Sequence, residues 1–383
     1  MTGRSMGLYV HVPFCARACP YCDFDFEVGR DPPIDAFLRD LEAECVARAL
    51  PERLAVDTVY VGGGTPSQLG PQGLRALLSS IDARFELRAT VERTVELNPE
   101  HVDEALLEVL VEAGVDRVSL GVQSLRPSAL VQLGRAHDPE RARRALVAAV
   151  ARGLRVSADL IVGHPGQRAA ALRDDVRALL DTGVEHVSIY ALTIEAGTPW
   201  ESLVRRGRRR MPRADTQARR LLEAEALLCD AGLHHYEVAS YARPGARARH
   251  NLGYWTGADY VGLGPSAASA IHHSDGAVER RTNLRGLSAW RARPGAAADR
   301  ERLSPRAAAA EGLWLGLRAL EGIELAAWLR RFPVVDEAWV RARTAQQVAR
   351  GNLEWFEGER GVVLRVAPGR WLWHDEIGAD LVS

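Results

Sequence analysis

Short apolar segments recur along the first half of the chain, and amphipathic segments separate them. The apolar segments are short, rich in Val and Ile, and end at glycine, proline or polar residues, which is typical of β-strands. They are LYVHVPF (8–14), TVYVGGG (58–64), RTVELNP (93–99), RVSLGVQS (117–124), RVSADLIVG (155–163) and HVSIYALT (186–193). Apolar residues at helical spacing predict helices at 34–50, 104–114, 139–153 and 170–183. This alternation predicts an α/β fold with a parallel sheet, and six strands predict a partial (β/α)6 barrel similar to a TIM barrel.

The remainder of the chain departs from this alternation, so we expect three parts. Residues 1–235 form the predicted barrel, and residues 236–300, which become polar and glycine-bearing, complete and connect it. Residues 301–383 begin with two predicted helices, EGLWLGLRAL and LAAWLRRF, and close with LEWFEG and GVVLRVAPG, which predict a hairpin. We therefore expect a small C-terminal α+β domain, with a winged helix as the closest comparison.

Composition removes several classes of chemistry. The chain has 383 residues, 47% hydrophobic and 26% charged, which is an ordinary globular balance. All 49 basic residues are arginine, which excludes a lysine Schiff base and the lysine of a phosphate-binding P-loop. The net charge of −1 supplies no overall field that would attract nucleic acid. The beginning of the chain has no signal-peptide pattern and no long apolar run follows, so we expect a cytoplasmic protein.

Three of the five cysteines lie close together. Cys15, Cys19 and Cys22 form a C-x3-C-x2-C spacing directly after the first predicted strand. A 4Fe-4S cluster needs four ligands, so three thiolates would leave one iron open to another ligand. The alternatives are a structural zinc site that includes His11 or another histidine, and three unrelated thiols, although no second cysteine pair follows at the distance usual for zinc. The other two cysteines, Cys45 and Cys229, lie on predicted helices and are expected in the core.

Polar residues and glycines collect where the predicted strands end. GGGTP (62–66) ends the second strand and lacks the lysine of a P-loop, while Glu96, Gln123 and Asp159 lie in or at the ends of later strands. Such residues can simply cap helices or hydrogen-bond at strand ends. In a parallel barrel, however, the carboxyl ends of the strands form the functional face, so together they predict one cofactor site.

Several motifs in the same order resemble the radical S-adenosylmethionine (SAM) family. Within that family the pattern is similar to the branch that contains coproporphyrinogen dehydrogenase and the HemW heme chaperones. The matching segments are YVHVPFC (9–15), GGGTPS (62–67), ELNPE (96–100), SLGVQS (119–124), LGRAHD (133–138), DLIVGHPGQ (159–167) and YALTIEAGT (190–198). The resemblance covers about residues 8 to 270 and implies a TIM-like radical SAM barrel.

The resemblance implies cofactors for particular residues. Cys15, Cys19 and Cys22 would hold a 4Fe-4S cluster, whose open iron binds SAM and whose electron splits it to give a 5′-deoxyadenosyl radical. Contacts to SAM carry over to Tyr21, Gly64, Thr65 and Glu96. The remaining positions, at which the dehydrogenase places one or two SAM molecules, correspond to Tyr9, Gln123, Arg135, Asp159 and Ala191. No catalytic residue is assigned.

Two features favour the chaperone over the enzyme. The dehydrogenase resembles C-x3-C-x2-C-x-C with a long preceding extension, whereas here Asp23 and Phe24 follow Cys22 and the first cysteine is already at position 15. The expected function is therefore binding of heme and its transfer to acceptor proteins. The alternative is an oxygen-independent coproporphyrinogen III dehydrogenase that decarboxylates propionates, so whether the chain is an enzyme stays open.

A histidine motif adds to the chaperone interpretation. His250 to Trp255 match the H-N-x-x-Y-W pattern that is associated with heme in that branch. Histidine is a common axial ligand of heme iron, and Arg247 and Arg249 could pair with propionates. The alternative is a histidine that is only hydrogen-bonded within the fold.

An arginine-rich segment at 204–213 raises the question of further partners. It contains no aromatic residue that would stack on bases, so we expect no nucleic-acid partner. A solvated loop is the simplest interpretation, and contact with an anionic membrane surface is a second hypothesis. An electron donor for the cluster and a second copy of the chain are the remaining candidate partners.

Overall fold

The computed structural model describes residues 5–382, which form seventeen strands and fourteen α-helices. The strands are β1 Met6–Val12, β2 Phe14–Cys15, β3 Glu27–Val28, β4 Leu54–Gly63, β5 Phe85–Leu97, β6 Arg117–Gln123, β7 Arg155–Val162, β8 His186–Ala191, β9 His234–Glu237, β10 Ser240–Ala242, β11 Asp259–Leu263, β12 Ala268–His272, β13 Val278–Asn283, β14 Ala297–Leu303, β15 Ile323–Glu324, β16 Leu353–Gly358 and β17 Gly361–Val366. The helices are α1 Ile34–Ala47, α2 Gly70–Arg84, α3 Glu104–Glu112, α4 Pro127–Gln132, α5 Pro139–Ala151, α6 Ala169–Leu180, α7 Pro199–Arg205, α8 Ala214–Asp230, α9 Arg249–Thr256, α10 Leu287–Ala292, α11 Pro305–Gly316, α12 Leu325–Arg331, α13 Glu337–Ala349 and α14 His374–Val382. No helix in this part of the chain has the length and apolar character needed to cross a membrane.

The six predicted strands are confirmed and lie side by side. They follow the order β1, β4, β5, β6, β7, β8, and every neighbouring pair is parallel. The predicted helices between them correspond to α1, α3, α5 and α6. Since every strand is followed by a helix that returns the chain, the carboxyl ends of all six strands lie at one edge.

The apolar pattern places the core between this sheet and its helices. Val10, Val61 and Val118 are fully buried in the strands, and Leu107 and Leu146 face them from α3 and α5. Branched residues suit strands covered on both faces, and the apolar stripe of each helix supplies the covering surface. The helix ends are capped locally: the side chains of Asp103 and Asp138 accept hydrogen bonds from the Leu106 and Arg141 N–H groups in the first turns of α3 and α5.

The sheet is larger than predicted. A seventh parallel strand, β11, pairs with β1, and β12, β13 and β14 extend that edge with antiparallel strands. The polar, glycine-bearing stretch up to residue 300 contains β11, β12, β13 and the start of β14, and the sequence did not predict this extension. The pattern concealed it because β14 is an edge strand whose side chains are mainly exposed. At the opposite edge β10 pairs with β8, and β9 pairs with β10.

The last eighty residues have both helices and strands, as expected. The predicted hairpin is confirmed as β16 and β17, and β15 pairs with β17 to complete a small three-stranded sheet. The helices α11 to α14 share a second apolar cluster that includes Leu313, Trp328 and Ile377 and reaches Ala270 and Val278 of the main sheet. The boundary predicted at residue 300 lies within β14. The division into three parts and the winged-helix comparison stay predictions.

Candidate functional site

A cavity of about 380 Å³ lies at the carboxyl ends of the parallel strands. Its walls come from the ends of β4, β5, β6 and β8, from Cys15 at the end of β2 and from the following loop that carries Cys19 and Cys22. We call it the cysteine cavity. Sequence reasoning therefore selected the correct edge of the sheet, since the residues it singled out at strand ends meet there.

The three cysteines line this cavity together. The Cys15 Sγ atom lies 3.3 Å from the hydroxyl oxygen of Thr65, and a guanidinium nitrogen of Arg135 lies 3.7 Å from the Cys19 Sγ atom. The turn is closed by the Cys22 N–H, which donates to the Cys19 carbonyl at 3.2 Å. Burial raises the pKa of Cys15 to about 11, which disfavours an isolated thiolate there. Bound iron would supply the positive charge that a buried thiolate needs, so the donor set fits an iron–sulfur cluster.

The zinc alternative finds less support in the geometry. The two ring nitrogens of His11 lie 3.0 Å from the Tyr9 hydroxyl oxygen and 2.7 Å from the Asp25 carbonyl oxygen. The histidine proposed as the fourth zinc ligand is thus already engaged away from the thiols. Among residues 5–382 no three His, Cys, Asp or Glu side chains gather around a single-ion position. A cubane does not need that convergence, because its ligands bind separate iron atoms.

The glycine run brings backbone close to the cavity. Gly63 has φ of 115°, and a side chain at this position would meet the His11 ring at 2.7 Å. A Cβ atom on Gly64 would lie 2.9 Å from the Phe14 carbonyl oxygen and 3.0 Å from that of Val12. Only glycine therefore allows this turn to pass between β1 and the cavity.

Two buried carboxyl groups face the same cavity. Glu96 accepts hydrogen bonds from the Tyr60 hydroxyl at 2.7 Å and the Gly63 N–H at 3.1 Å, and burial raises its pKa to about 7. Asp159 accepts from the Ser119 hydroxyl at 3.2 Å, and burial raises its pKa to about 6. Both groups can therefore exchange between neutral and charged forms near neutral pH, and both can accept hydrogen bonds from a ligand with amino or hydroxyl groups.

A buried arginine connects the cysteines to the strand ends. Arg135 donates to the Asn98 side-chain oxygen at 2.5 Å and to the Gly121 carbonyl at 2.9 Å.

Gln123 adopts a left-handed backbone conformation with φ of 65°, which is uncommon for a residue other than glycine. Strain of this kind concentrates at ligand sites, where the surrounding structure compensates for it.

Eight of the nine predicted SAM contacts line the cysteine cavity, namely Tyr21, Gly64, Thr65, Glu96, Gln123, Arg135, Asp159 and Ala191. Tyr9 lines a second, larger cavity instead. Sequence reasoning assigned no role to Asn98, Ser119 and Gly121, which also line the cysteine cavity. All three lie inside the motifs ELNPE and SLGVQS, but a sequence motif does not show which of its residues face the cavity.

The larger cavity has a volume of about 1390 Å³ and lies between the main sheet and the last eighty residues. We call it the aromatic cavity, because its lining includes the aromatic side chains of Tyr254, Trp255, Tyr260, Trp314, Trp328 and Phe332. Asp23, Phe24, Gly63 and Glu96 border both cavities. The two spaces are therefore neighbours across the Glu96 carboxyl.

His250 lies beneath the aromatic cavity rather than on its wall. It is buried, with Nδ1 2.9 Å from the Thr58 hydroxyl oxygen and Nε2 2.7 Å from the Tyr254 hydroxyl oxygen. Burial lowers its pKa to about 3, so the ring is neutral. Its Nε2 atom would reach a heme iron only after Tyr254 moved. Binding of heme by His250 stays a prediction.

The remaining arginines and cysteines predicted from the sequence have simpler surroundings. Arg249 donates to the Glu92 carboxylate through its backbone N–H, and Arg247 pairs with Glu321. In the arginine-rich segment the Arg209 guanidinium stacks on Trp200 at 4.2 Å.

Cys45 is buried as expected, whereas the prediction for Cys229 is wrong, because it lies on the exposed face near the end of α8.

Comparisons with known proteins agree with this geometry. Residues 9–179 match the Radical SAM superfamily. Heme chaperone HemW of Mycobacterium tuberculosis (strain CDC 1551 / Oshkosh) is 43% identical over 277 residues, which cover 71% of each chain. The chain belongs to the HemW family of radical SAM proteins. Heme chaperone HemW of Escherichia coli (strain K12) is 36% identical over 286 residues, covering 73% of this chain and 74% of the relative.

A solved structure supports the same fold for the HemW family chain. Coproporphyrinogen III oxidase (HemN) from Escherichia coli, described as a radical SAM enzyme, superposes with a TM-score of 0.82 over 99% of this chain and 90% of that one. The two sequences are 21% identical, so this likeness concerns the fold. The predicted α/β fold with a parallel sheet is confirmed.

Proposed function

We propose that this chain is a heme chaperone that carries a 4Fe-4S cluster and SAM, binds heme and transfers it to acceptor proteins in the cytoplasm. The observation that carries the proposal is the cysteine cavity, in which the three cysteines and eight predicted SAM contacts meet. The names of the relatives from Mycobacterium tuberculosis and Escherichia coli support heme as the cargo.

The residues of the cysteine cavity have different proposed roles. Cys15, Cys19 and Cys22 would hold the cluster, which supplies one electron at an iron open to SAM. Arg135 would balance negative charge beside Cys19, while Glu96 and Asp159, which line the cavity, would accept hydrogen bonds from SAM.

One position favours the chaperone over the dehydrogenase. Phe24 stands where the dehydrogenase pattern has its further cysteine, and it is 62% exposed at the border of both cavities. A phenyl ring can neither bind iron nor transfer a proton. This position therefore supports binding of a porphyrin more than its decarboxylation.

The proposal is tested with the anaerobically reconstituted protein in two assays. Hemin titration should give a saturable Soret band, and incubation with SAM, a reductant and coproporphyrinogen III should leave the porphyrinogen unchanged. Accumulation of protoporphyrinogen would establish the dehydrogenase instead. Absence of saturable hemin binding would remove the chaperone proposal.

A further inference from the structure

We propose that the aromatic cavity holds the heme and that His272, rather than His250, is the axial ligand of its iron. This inference rests on the proposed function, since it takes heme as the cargo. It adds a binding site in a different cavity from the cysteines and a ligand from a strand that the sequence pattern did not reveal.

The hydrogen bonds of His272 prepare its ring for a metal. Its Nδ1 atom lies 2.7 Å from a carboxylate oxygen of Asp259, and the same oxygen accepts the backbone N–H of His272 at 2.8 Å. Its Nε2 atom lies 3.1 Å from a guanidinium nitrogen of Arg331. Because arginine can only donate, Nε2 must accept, and the ring proton lies on Nδ1 facing Asp259. A carboxylate behind Nδ1 with a lone pair on Nε2 is the usual arrangement of a metal-binding histidine.

The His272 ring has access to a cavity of suitable size and lining. It lines the aromatic cavity, whose volume of about 1390 Å³ exceeds the roughly 300–1,000 Å³ of ordinary small-molecule sites. A porphyrin is a flat, largely apolar ring, and the aromatic wall can cover its faces. Trp328 is only 7% exposed, and within residues 5–382 its indole N–H has no hydrogen-bond partner. A buried donor without a partner on the wall of a cavity indicates that a polar group of a ligand belongs there.

The charges of the cavity suit propionates at its mouth. Arg330 and Arg331 lie in the last turn of α12 and line the cavity, and Arg330 is exposed to solvent. Arg331 already donates to the Thr256 carbonyl at 2.8 Å, which holds it beside His272. Two neighbouring guanidinium groups can pair with two carboxylates. Arg280 is less available, because it forms ion pairs with Glu301 and Glu311.

Binding of the iron needs no transfer of a proton. The Nε2 lone pair forms a coordinate bond with the iron, and the hydrogen bond from Arg331 to Nε2 is given up. The Arg331 nitrogen that donated to Nε2 can then donate to a propionate instead. His250 differs in its position: its ring does not line the aromatic cavity, and Tyr254, which does, is hydrogen-bonded to its Nε2 atom.

Hemin titration of the full-length protein and four variants tests the assignment. The variants are His272→Ala, its neighbour His273→Ala, His250→Ala and Asp259→Asn. His273 is the matched control, because it lies next in the chain but pairs with Glu279 at 3.4 Å and does not line the cavity. Folding of each variant is checked by circular dichroism and thermal unfolding.

We expect His272→Ala to weaken hemin binding at least tenfold and to shift the Soret band, and added imidazole to restore the wild-type spectrum. Asp259→Asn should weaken binding less and change the iron–imidazole stretching frequency in resonance Raman spectra. His273→Ala and His250→Ala should match the wild type. A wild-type spectrum and affinity in His272→Ala, or loss of the band in His250→Ala alone, would overturn the assignment while leaving heme binding by the wild type intact. No hemin binding by the wild type would instead overturn the proposed function and this site with it.

Discussion

At the scale of single residues, the site depends on positions where the backbone or a charge admits few substitutes. The sequence allowed the cysteines, the glycine run and Glu96 to be predicted, because each stands in a motif with a chemical reason. It could not separate Tyr9 from the other SAM candidates, because only the three-dimensional fold shows that Tyr9 lines the aromatic cavity and the others line the cysteine cavity. His272 was assigned no role, because its partner Asp259 lies on another strand.

Glu96 makes the stability of the cluster-free chain depend on pH. Burial raises the pKa of Glu96 in the folded state to about 7, which is above its value in the unfolded chain. The folded state is therefore favoured most below the unfolded pKa, where Glu96 is neutral, and this stabilisation is lost as pH rises through 7. Glu96→Gln should remove about 2–3 kcal/mol of this dependence between pH 4.5 and 8. Urea unfolding at several pH values measures it. Glu86→Gln, on the exposed part of β5, is the control; equal pH profiles for Glu96→Gln and the wild type would contradict the prediction.

Gly64 should tolerate no side chain. The carbonyl oxygens of Phe14 and Val12 lie about 3 Å from the position of a Cβ atom and belong to backbone that cannot rotate away. Gly64→Ala should therefore cost about 1–3 kcal/mol of stability and weaken SAM binding by the reconstituted protein at least tenfold. Gly29→Ala is the control, because a Cβ there meets nothing within 4 Å. Equal SAM affinity in the two variants, measured by equilibrium dialysis, would refute this account of the loop.

At the scale of elements, six parallel strands and the β16–β17 hairpin were predictable, whereas the strands that extend the main sheet at its edges were not. Each parallel strand is buried on both faces and therefore appears as an apolar run, whereas β14 has alternating charges and is defined only by its pairing with β13. Strand β11 was also missed. Its five residues come soon after the histidine motif, and this segment was interpreted as a candidate heme site rather than as part of the sheet.

Glu44 connects α1 to the antiparallel extension. Its side chain is fully buried and accepts hydrogen bonds from Arg48, the Gly264 N–H, Asn283 and Trp290 at 2.7 to 2.9 Å. Glu44→Gln leaves the Arg48 charge without its buried partner, so we expect a loss of about 2–4 kcal/mol in the free energy of unfolding.

The matched control for Glu44 is Glu112→Gln. Glu112 pairs with Arg75 at 2.7 Å, but both side chains are about half exposed, so its loss should cost less than about 1 kcal/mol. Denaturant unfolding of both variants makes the comparison. Similar losses in the two would show that the buried network does not hold α1 to β13.

At the scale of the whole molecule, two cavities share a border at Glu96. One is lined by cysteines at the carboxyl ends of the parallel strands, and the other lies between the main sheet and the last eighty residues. The sequence predicted the first cavity, because its residues lie in motifs at the ends of successive predicted strands. It could not predict the second, since Trp255, His272 and Trp328 come from separate elements that only tertiary packing brings together.

The most direct test of this account is the metal content of the anaerobically reconstituted protein. Iron, sulfide and the electron paramagnetic resonance signal after reduction should be measured in the wild type, in Cys15→Ala, Cys19→Ala and Cys22→Ala, and in Cys45→Ala as the buried-cysteine control. The account predicts about four irons and four sulfides per chain in the wild type and in Cys45→Ala, with a signal that changes when SAM is added, and loss of the cluster in the other three variants. A wild type without the signal, or unchanged iron in any of those three variants, would contradict it.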